Sequence, residues 1–344
     1  MSDYYDGVKL LSMKDINGNI PEIFVCSGNN TAGKTTYFSR LLVNRFLDGK
    51  GKFMLIYRFR YELDDCADKF FKDIGSLFFP GKQMTSRQKA KGVYHELYLN
   101  DVSCGYVVAL NSVDVLKKYA HFFNDTNRMF MDEFQSETNH YCPDEVIKFR
   151  ALHKLVARGQ SKMVRYVPVY MCSNPITVLN PYYIAWGFSN RITKETKFLR
   201  GDGVVLEQVY NVAASNAQQS SAFNRAFGND KYAQFTNNGT YLSDNNTFIE
   251  KPTGNGRYLA TILFNGINYA IREYSAVGYI YCDKNADLTF PNKIAATTED
   301  HQINYVMLKS NDLFLDQLRF YFERGCFRFR DLQCKEAILN ILSF

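Results

Sequence analysis

Eight consecutive residues have the types and the spacing needed to hold the phosphate groups of a nucleotide. They read GNNTAGKT, from Gly28 to Thr35, and match G-x-x-x-x-G-K-[ST] at every fixed position. Glycines let the backbone approach a phosphate closely, and the N–H groups that open the following helix face the anion. In this pattern Lys34 would reach the β- and γ-phosphates, and the Thr35 hydroxyl would bind Mg²⁺. The predicted nucleotide-binding residues of this loop are Gly28, Asn29, Asn30, Thr31, Ala32, Gly33, Lys34, Thr35 and Thr36.

Two adjacent carboxylates lie about a hundred residues further along the chain. Asp132 and Glu133 directly follow the apolar residues Met129, Phe130 and Met131. An apolar strand that ends in an Asp-Glu pair resembles a Walker B strand. In that role Asp132 would hold the water shell of Mg²⁺ beside the nucleotide, and Glu133 would orient and polarise the attacking water.

The elements around these motifs predict an α/β fold. Residues 23–26 are predicted to form a buried strand and residues 36–47 a helix, so the loop lies between a strand and a helix as its motif requires. Further strands are expected at 52–60, 94–99, 105–110 and 167–172, with helices at 113–123 and 143–158. Strands that alternate with helices favour a doubly wound, mostly parallel sheet.

Ser173 and Asn174 follow the strand predicted at 167–172. Ligands of open α/β folds bind at the carboxyl edge of the sheet, so these two side chains are candidate coupling residues at the nucleotide site. Because Pro175 comes next, the pair is equally consistent with a simple turn.

Length and composition indicate a folded, soluble protein. With 344 residues, 46% of them hydrophobic and 22% charged, the chain is long enough for two domains. Its polar first residues do not resemble a signal peptide, and no apolar run approaches the length that spans a bilayer. Eight scattered cysteines without a C-x-x-C pair suggest free thiols in a reducing compartment.

Charge is distributed unevenly, although the net charge of +6 is modest. No acidic residue lies between Glu145 and Glu195, while that interval contains several arginines and lysines. The interval is either a solvated helix face with its loops or a surface that faces a polyanion.

Composition also suggests where the domains end. Asn, Gln, Ser, Ala and Gly dominate residues 211–246, which is typical of a lid or a linker. We therefore expect an ATPase-type domain at 1–205, a lid or linker at 206–247 and a smaller α/β domain at 248–344. Within the last domain, residues 257–271 are predicted to form a β-hairpin that turns at Asn265-Gly266.

The order of these features resembles the DNA-packaging ATPases of small short-tailed bacteriophages, the phi-29 group. The resemblance rests on IFVCSGNNTAGKT, KFMLIYRFRYEL, MFMDEF and above all CSNPITVLNPYY, and it continues weakly through FIEK and GYIYCD. It implies an additional-strand P-loop ATPase domain whose mostly parallel sheet lies between helices. It further implies a homo-pentameric ring that uses ATP and Mg²⁺ to drive double-stranded DNA into a procapsid.

The same resemblance implies partners and a location. The ring would dock on a portal or connector protein at one vertex of the procapsid, in the host cell cytoplasm, and would be absent from the mature virion. Whether a packaging RNA is a further partner stays open, and no membrane is involved. The C-terminal domain would resemble a vestigial RNase H-like nuclease. Residues 257–271, the predicted hairpin, contain no carboxylate. Two-metal cleavage needs acidic ligands there, so nuclease activity is not expected.

Further residues take roles from the resemblance. Arg158 matches a trans-acting arginine finger, which with Lys34 and Glu133 completes the predicted catalytic set. Lys117 corresponds to a second trans-acting basic residue, although Lys118 is equally placed. Arg58 and Arg60 match a basic segment that faces DNA. One departure is Asn30, which replaces an arginine that the family often has inside the phosphate loop.

Three other functions compete with this interpretation. The first is a different P-loop ATPase or helicase that depends on nucleic acid, and the second is a P-loop kinase of small molecules. A kinase lid usually carries several arginines, whereas residues 211–246 contain only Arg225. The third is a nucleotide-dependent binding module, which would have no need of a water-polarising Glu133.

Overall fold

The computed structural model describes residues 4–29, 32–138, 140–158, 164–193, 196–212, 215–216, 220–222, 244 and 247–342. The chain divides into two compact units, residues 1–243 and 244–344. Most of the segment expected to be a lid or linker lies outside the described residues, and so does Asn30. None of the described helices is long and apolar enough to span a membrane.

One large sheet forms the framework of the first unit. Its strands, where the structure describes the chain, are β1 (Ile23–Gly28), β2 (Lys52–Tyr57), β3 (Met84–Lys89), β4 (Tyr94–Leu99), β5 (Val102–Ala109), β6 (Thr126–Met131), β7 (Val169–Ser173), β8 (Phe198–Arg200) and β9 (Val204–Val209). They lie in the order β3-β4-β5-β2-β6-β7-β1-β9-β8.

The middle of this sheet is parallel, as the alternation of strands and helices predicts. Neighbours from β5 to β9 in that order pair in parallel, and only the strands at the two edges pair antiparallel. Strand β7 lies between β1 and β6. The strand before the phosphate loop and the strand before the two carboxylates are thus separated by one additional strand.

Helices cover both faces of the sheet, which is how a parallel sheet is normally buried. They are α1 (Val8–Ser12), α2 (Lys34–Leu47), α3 (Leu63–Phe78), α4 (Val113–Leu116), α5 (Glu145–Val156) and α6 (Pro181–Ala185). Successive strand residues enter opposite cores. Phe130 packs with Phe38 of α2, whereas Met131 packs with Phe149 of α5.

Several bounds differ from those predicted from the sequence, each for a local reason. The strand expected at 52–60 ends at Tyr57, because the Glu62 carboxylate accepts hydrogen bonds from the N–H groups of Arg58 and Phe59 and turns the chain. Strand β3 was not predicted, since its polar residues have little hydrophobic alternation; it forms as the antiparallel partner of β4. Strand β9 continues to Val209, past the expected domain boundary at 205.

The second unit contains a smaller sheet. Its described strands are β10 (Arg257–Phe264), β11 (Ile267–Tyr274), β12 (Tyr279–Asp283), β13 (Lys293–Ala295), β14 (Val306–Met307) and β15 (Phe327–Phe329), and its helices are α7 (Asp312–Glu323) and α8 (Leu332–Leu342). The order is β14-β13-β10-β11-β12-β15. The predicted hairpin is confirmed: Asn265 and Gly266 both have positive φ between β10 and β11.

We expect Gly28→Ala to destabilise the first unit even without nucleotide. A Cβ atom at Gly28 would lie 2.2 Å from the carbonyl oxygen of Val209 on the neighbouring strand β9. That oxygen belongs to the backbone of a paired strand and cannot move aside cheaply, so we expect a loss of about 1–3 kcal/mol in the free energy of unfolding. Thermal or urea denaturation of the nucleotide-free protein measures it.

Gly75→Ala is the matched control. Gly75 lies inside α3, and a Cβ atom there would meet only the sulfur of Met84 at 3.4 Å. This exchange should leave stability unchanged or raise it by up to about 1 kcal/mol, because alanine is the better helix former. Equal stability of Gly28→Ala and the wild type would show that the first glycine is not required by sheet packing.

Candidate active site

The phosphate loop connects β1 to α2. Gly33, the last loop residue, has φ of 88°, a left-handed conformation that favours glycine. Lys34 opens α2, so the N–H groups of the first helical turn have no partner within the helix. The N-terminal segment supports the loop from outside, since the Tyr5 N–H donates to the carbonyl oxygen of Ala32 at 2.8 Å. Asn30 and Thr31 lie outside the described residues.

Lys34 is buried, with 6% of its surface exposed. Its Nζ donates to the carbonyl oxygens of Gly28 at 2.7 Å and Asn29 at 2.8 Å, and contacts Oδ1 of Asn174 at 3.4 Å. Burial lowers the pKa of the Lys34 ammonium, because the surrounding protein disfavours its charge. The structure thus brings Asn174, a predicted coupling residue, to the predicted phosphate-binding lysine.

Thr35 and Asp132 meet across the sheet edge, as their motifs predict. The Thr35 hydroxyl donates to Oδ1 of Asp132 at 3.1 Å, and the Glu133 N–H donates to the same oxygen. Burial, together with the nearby charge of Glu133, raises the pKa of Asp132 to about 6. A hydroxyl and a carboxylate are the oxygen ligands that Mg²⁺ prefers, so the side chains present fit that ion.

Glu133 has an unusual backbone. Its φ is +51°, a region that a non-glycine residue enters only when its surroundings hold it there. The side chain is exposed at a cavity of about 350 Å³, which Asn174 also lines. Glu133 therefore faces an open space that it shares with Asn174, the residue that contacts Lys34.

Two polar side chains hold the site together: Gln135, which sequence reasoning missed, and Asn29, which it assigned only to the phosphate loop. Oε1 of Gln135 accepts hydrogen bonds from the N–H groups of Ile176 and Thr177, which ties the loop after β6 to the loop after β7. Asn29 exchanges two hydrogen bonds with the backbone of Asn211, just beyond β9. Both are buried amides, and nothing in the local pattern signals their distant partners. Ser173 is buried too, and its hydroxyl has no hydrogen-bond partner among the described residues.

The two predicted DNA-facing arginines differ in their surroundings. Arg58 is only 8% exposed, and its guanidinium forms a bidentate ion pair with Glu145, so the expected DNA contact at Arg58 is corrected. The carbonyl oxygen of Phe134, the Glu145 carboxylate and the Tyr141 ring surround its guanidinium and bury it. Arg60 is exposed and donates a hydrogen bond to the carbonyl oxygen of Gly92.

The predicted trans-acting residues lie away from this cluster. Lys117 is on the surface, where its Nζ pairs with Asp114 at 2.7 Å. Arg158 is exposed beyond the end of α5, which stops at Val156 rather than at the predicted residue 158. Among the described residues no hydrogen-bond or ion-pair partner is seen for the Arg158 guanidinium.

A phosphate loop between a parallel strand and a helix, facing a carboxylate pair across one additional strand, defines a P-loop nucleoside triphosphatase. The sequence matches the Podovirus DNA encapsidation protein (Gp16) family over residues 1–343, and the chain belongs to that family. It is a DNA-packaging ATPase.

Individual relatives agree with this assignment. The chain is 22% identical to the DNA packaging protein of Bacillus phage PZA over 306 residues, 88% of this chain and 87% of the relative. The DNA packaging protein of Bacillus phage phi29 matches with the same identity and coverage.

Solved structures share the fold. The bacteriophage Phi-29 viral genome packaging motor assembly superposes with a TM-score of 0.70 at 21% identity, over 99% of this chain and 98% of that one. The Phi-28 gp11 DNA packaging motor gives 0.60 at 15% identity, over 100% and 97%.

We predict that Asp132→Asn stabilises the nucleotide-free protein at pH 7. With its pKa raised to about 6, native Asp132 holds a proton more tightly than the unfolded chain does, so stability falls as pH rises from about 4 to 6. Asparagine removes that charge, and the gain at pH 7 should be on the order of 1–3 kcal/mol. Denaturation at pH 7 and pH 4 measures it, and the difference should vanish at pH 4.

Asp114→Asn is the control for this prediction. Asp114 is an exposed carboxylate whose pKa is lowered by its hydrogen bond with Lys117, so its removal should not stabilise the protein. A gain for Asp132→Asn that persists unchanged at pH 4 would contradict the assignment of the effect to ionisation.

Proposed function

We propose that this chain hydrolyses ATP with Mg²⁺ at the site described, and that hydrolysis moves double-stranded DNA into a viral procapsid. The observation that carries the proposal is the hydrogen bond between Thr35 and Asp132, with Glu133 next in the chain. It joins the two halves of a nucleotide-hydrolysis site that lie about a hundred residues apart. Membership of the DNA encapsidation family supports DNA as the cargo.

Each side chain has a role that follows from its position. Lys34 and the free N–H groups at the start of α2 bind the phosphates, and Lys34 exchanges its carbonyl partners for phosphate oxygens. When bound, Mg²⁺ neutralises developing phosphate charge beside Thr35 and Asp132. Glu133 orients water and accepts its proton at the exposed carboxylate. Asn174 contacts Lys34 and therefore senses whether that lysine has moved.

The proposed assembly is a homo-oligomeric ring on a portal protein at the procapsid. The family resemblance implies that the ring is a pentamer. A packaging RNA is a further candidate partner. Of the two arginines expected to face DNA, the exposed Arg60 keeps that proposed role. Lys117 is proposed to act in trans together with Arg158. The proposed location is the host cytoplasm, at the procapsid during packaging.

The additional strand β7 between β1 and β6 supports placing the first unit in the additional-strand class of P-loop ATPases. We propose residues 1–205 as its ATPase domain, 206–247 as a lid or linker and 248–344 as a vestigial RNase H-like domain without nuclease activity. Within the described residues no three His, Cys, Asp or Glu side chains are grouped so that they could hold a metal ion. Asp283 there is paired with Arg272.

Glu133→Gln should abolish turnover while ATP still binds. Glutamine keeps the size of the side chain but cannot accept the proton of water, so we expect DNA-stimulated hydrolysis to fall by about 10²-fold or more. Phosphate release in the presence of double-stranded DNA measures turnover, and a fluorescent ATP analogue measures binding.

Lys34→Ala is the comparison variant, and it should weaken binding of the analogue itself. In the wild type, hydrolysis should depend steeply on protein concentration, because the ring must assemble. The proposal is wrong if Glu133→Gln keeps turnover within a few-fold of the wild type, or if DNA does not stimulate hydrolysis.

The backbone of Arg158 lies near the amino end of β6, whereas the phosphate loop lies at the carboxyl edge of the sheet. The Arg158 backbone pairs with Val164, and the next residue, Arg165, donates to the carbonyl oxygen of Thr126 at the amino end of β6. Asp132 follows the other end of that six-residue strand, about 20 Å away. An exposed arginine at the opposite sheet edge supports action on a neighbouring subunit.

A mixing experiment tests this trans action. Arg158→Ala and Lys34→Ala subunits should each be inactive alone, since an arginine finger contributes about 10³–10⁵-fold to rate in related systems. Mixed rings should regain part of the activity, because an intact arginine then faces an intact phosphate loop. Doubly substituted subunits are the control and should restore nothing. Absence of recovery in rings shown to be mixed would exclude a trans role for Arg158.

A further inference from the structure

Asn29 continues the pairing of β1 with β9 by means of its side chain. Backbone pairing of the two strands ends at Gly28, which lies beside Val209. Beyond that point Nδ2 of Asn29 donates to the carbonyl oxygen of Asn211 at 3.1 Å, and the Asn211 N–H donates to Oδ1 of Asn29 at 2.9 Å. An amide side chain carries the same kinds of donor and acceptor as a peptide group, so it binds both backbone groups of Asn211 at once. We call these two hydrogen bonds the Asn29 clamp.

The backbone of Asn29 takes part in a different contact. Its carbonyl oxygen accepts a hydrogen bond from Nζ of Lys34 at 2.8 Å, next to the carbonyl oxygen of Gly28, which accepts from the same Nζ at 2.7 Å. Lys34 is proposed to leave both oxygens when phosphate binds, so the loop then loses two of its contacts. The Asn29 clamp does not involve Lys34 and therefore persists through that exchange.

The clamp lies in the protein interior. Asn29 is fully buried, and a Cβ atom on the preceding Gly28 would lie 2.2 Å from the carbonyl oxygen of Val209. A buried polar group is strongly disfavoured without a hydrogen-bond partner, and at this site the Asn211 backbone supplies it. The start of the phosphate loop is therefore fixed to the end of β9.

A second contact anchors the later part of the loop to the same strand. The Tyr5 N–H donates to the carbonyl oxygen of Ala32 at 2.8 Å, and the Tyr5 hydroxyl donates to Oε2 of Glu207 at 2.9 Å. Glu207 belongs to β9, where it lies beside Cys26 of β1. Strand β9 thus holds the phosphate loop at two points, directly through Asn29 and indirectly through Tyr5.

We infer that Asn29 is a positioning residue for nucleotide binding: its clamp on β9 holds the phosphate loop, before any ligand arrives, in the shape that receives the phosphates. This inference rests on the proposed function, because it concerns the affinity of the same site. A ligand that meets a preformed loop does not have to order it, whereas ordering a loose loop lowers the affinity. Loss of the clamp should therefore weaken nucleotide binding, while Thr35, Asp132 and Glu133 still support hydrolysis once nucleotide is bound.

The test is a double-substitution cycle in the full-length chain, measured by the Kd of a fluorescent non-hydrolysable ATP analogue with Mg²⁺. Asn29→Ala removes the amide and should raise the Kd about 10-fold, the order expected when one loop residue must be ordered on binding. Asn211→Pro removes the N–H at the other end of the clamp and should also raise the Kd. In the Asn29→Ala background, Asn211→Pro should add no further rise, because the partner of that N–H is already absent. The kcat at saturating ATP with double-stranded DNA should stay within about threefold of the wild type.

Asn17→Ala is the matched control. The side-chain amide of Asn17 also donates to the hairpin of β8 and β9, at Oδ1 of Asp202, but this contact is exposed to solvent. Water can replace a hydrogen bond at the surface, so the Kd and kcat should both be unchanged.

An unchanged Kd for Asn29→Ala would overturn the inference, and so would equal fold-rises from Asn211→Pro in both backgrounds. A loss of kcat of about 10-fold with the Kd intact would also overturn it, because Asn29 would then act on the chemical step. If the wild type itself fails to bind the analogue, the proposed function is wrong and this inference fails with it. Should Asn29→Ala not fold, Asn211→Pro decides alone: a raised Kd supports the clamp, and a Kd equal to that of the wild type excludes it.

Discussion

The parallel register of β1, β7 and β6 is the constraint on which the site depends. Cys26 pairs with Cys172 and Ser27 with Ser173, while Met131 pairs with Met171. All three strands therefore end at nearly the same height, and the loops that follow them meet at one edge of the sheet. That coincidence brings Thr35 within hydrogen-bond distance of Asp132, and Lys34 within hydrogen-bond distance of Asn174.

The register is itself maintained by burial on both faces. Alternate residues of each central strand enter two separate cores, so a slip by one residue would exchange their contents. Close backbone packing adds to this at Gly28, where only glycine fits beside strand β9. The same residue thus serves the sheet and the phosphate loop, and the motif at this position has a structural reason as well as a chemical one.

Polar groups inside this apolar frame are stabilised by networks rather than by isolated contacts. Lys34 is held by loop carbonyls, Gln135 joins two loops, and Arg58 joins β2, the loop after β6 and the first turn of α5. A movement of these loops would separate the side chains from their partners. For the buried charges of Lys34 and Arg58 this would cost several kcal/mol, so the contacts restrict the loops. Asp132 accepts hydrogen bonds from the Thr35 hydroxyl and the Glu133 N–H, while burial and the charge of Glu133 raise its pKa.

The sequence by itself determined the local chemistry: the phosphate loop, the Asp132-Glu133 pair, the parallel middle of the sheet and the family. These depend on short motifs and on hydrophobic periodicity, both of which are written in consecutive residues. Strand β3 escaped prediction because its residues are polar and form a strand only by pairing with β4. Strands β8 and β9 were not predicted either, although β9 begins with the apolar residues Val204, Val205 and Leu206 and pairs with the distant strand β1. The tertiary structure alone decided whether an arginine near a strand end faces solvent. Arg58 and Arg60 are two residues apart and look alike in the sequence. Arg58 is nevertheless buried, because it pairs with Glu145, which lies 87 residues further along the chain. No local sequence pattern could predict that pairing.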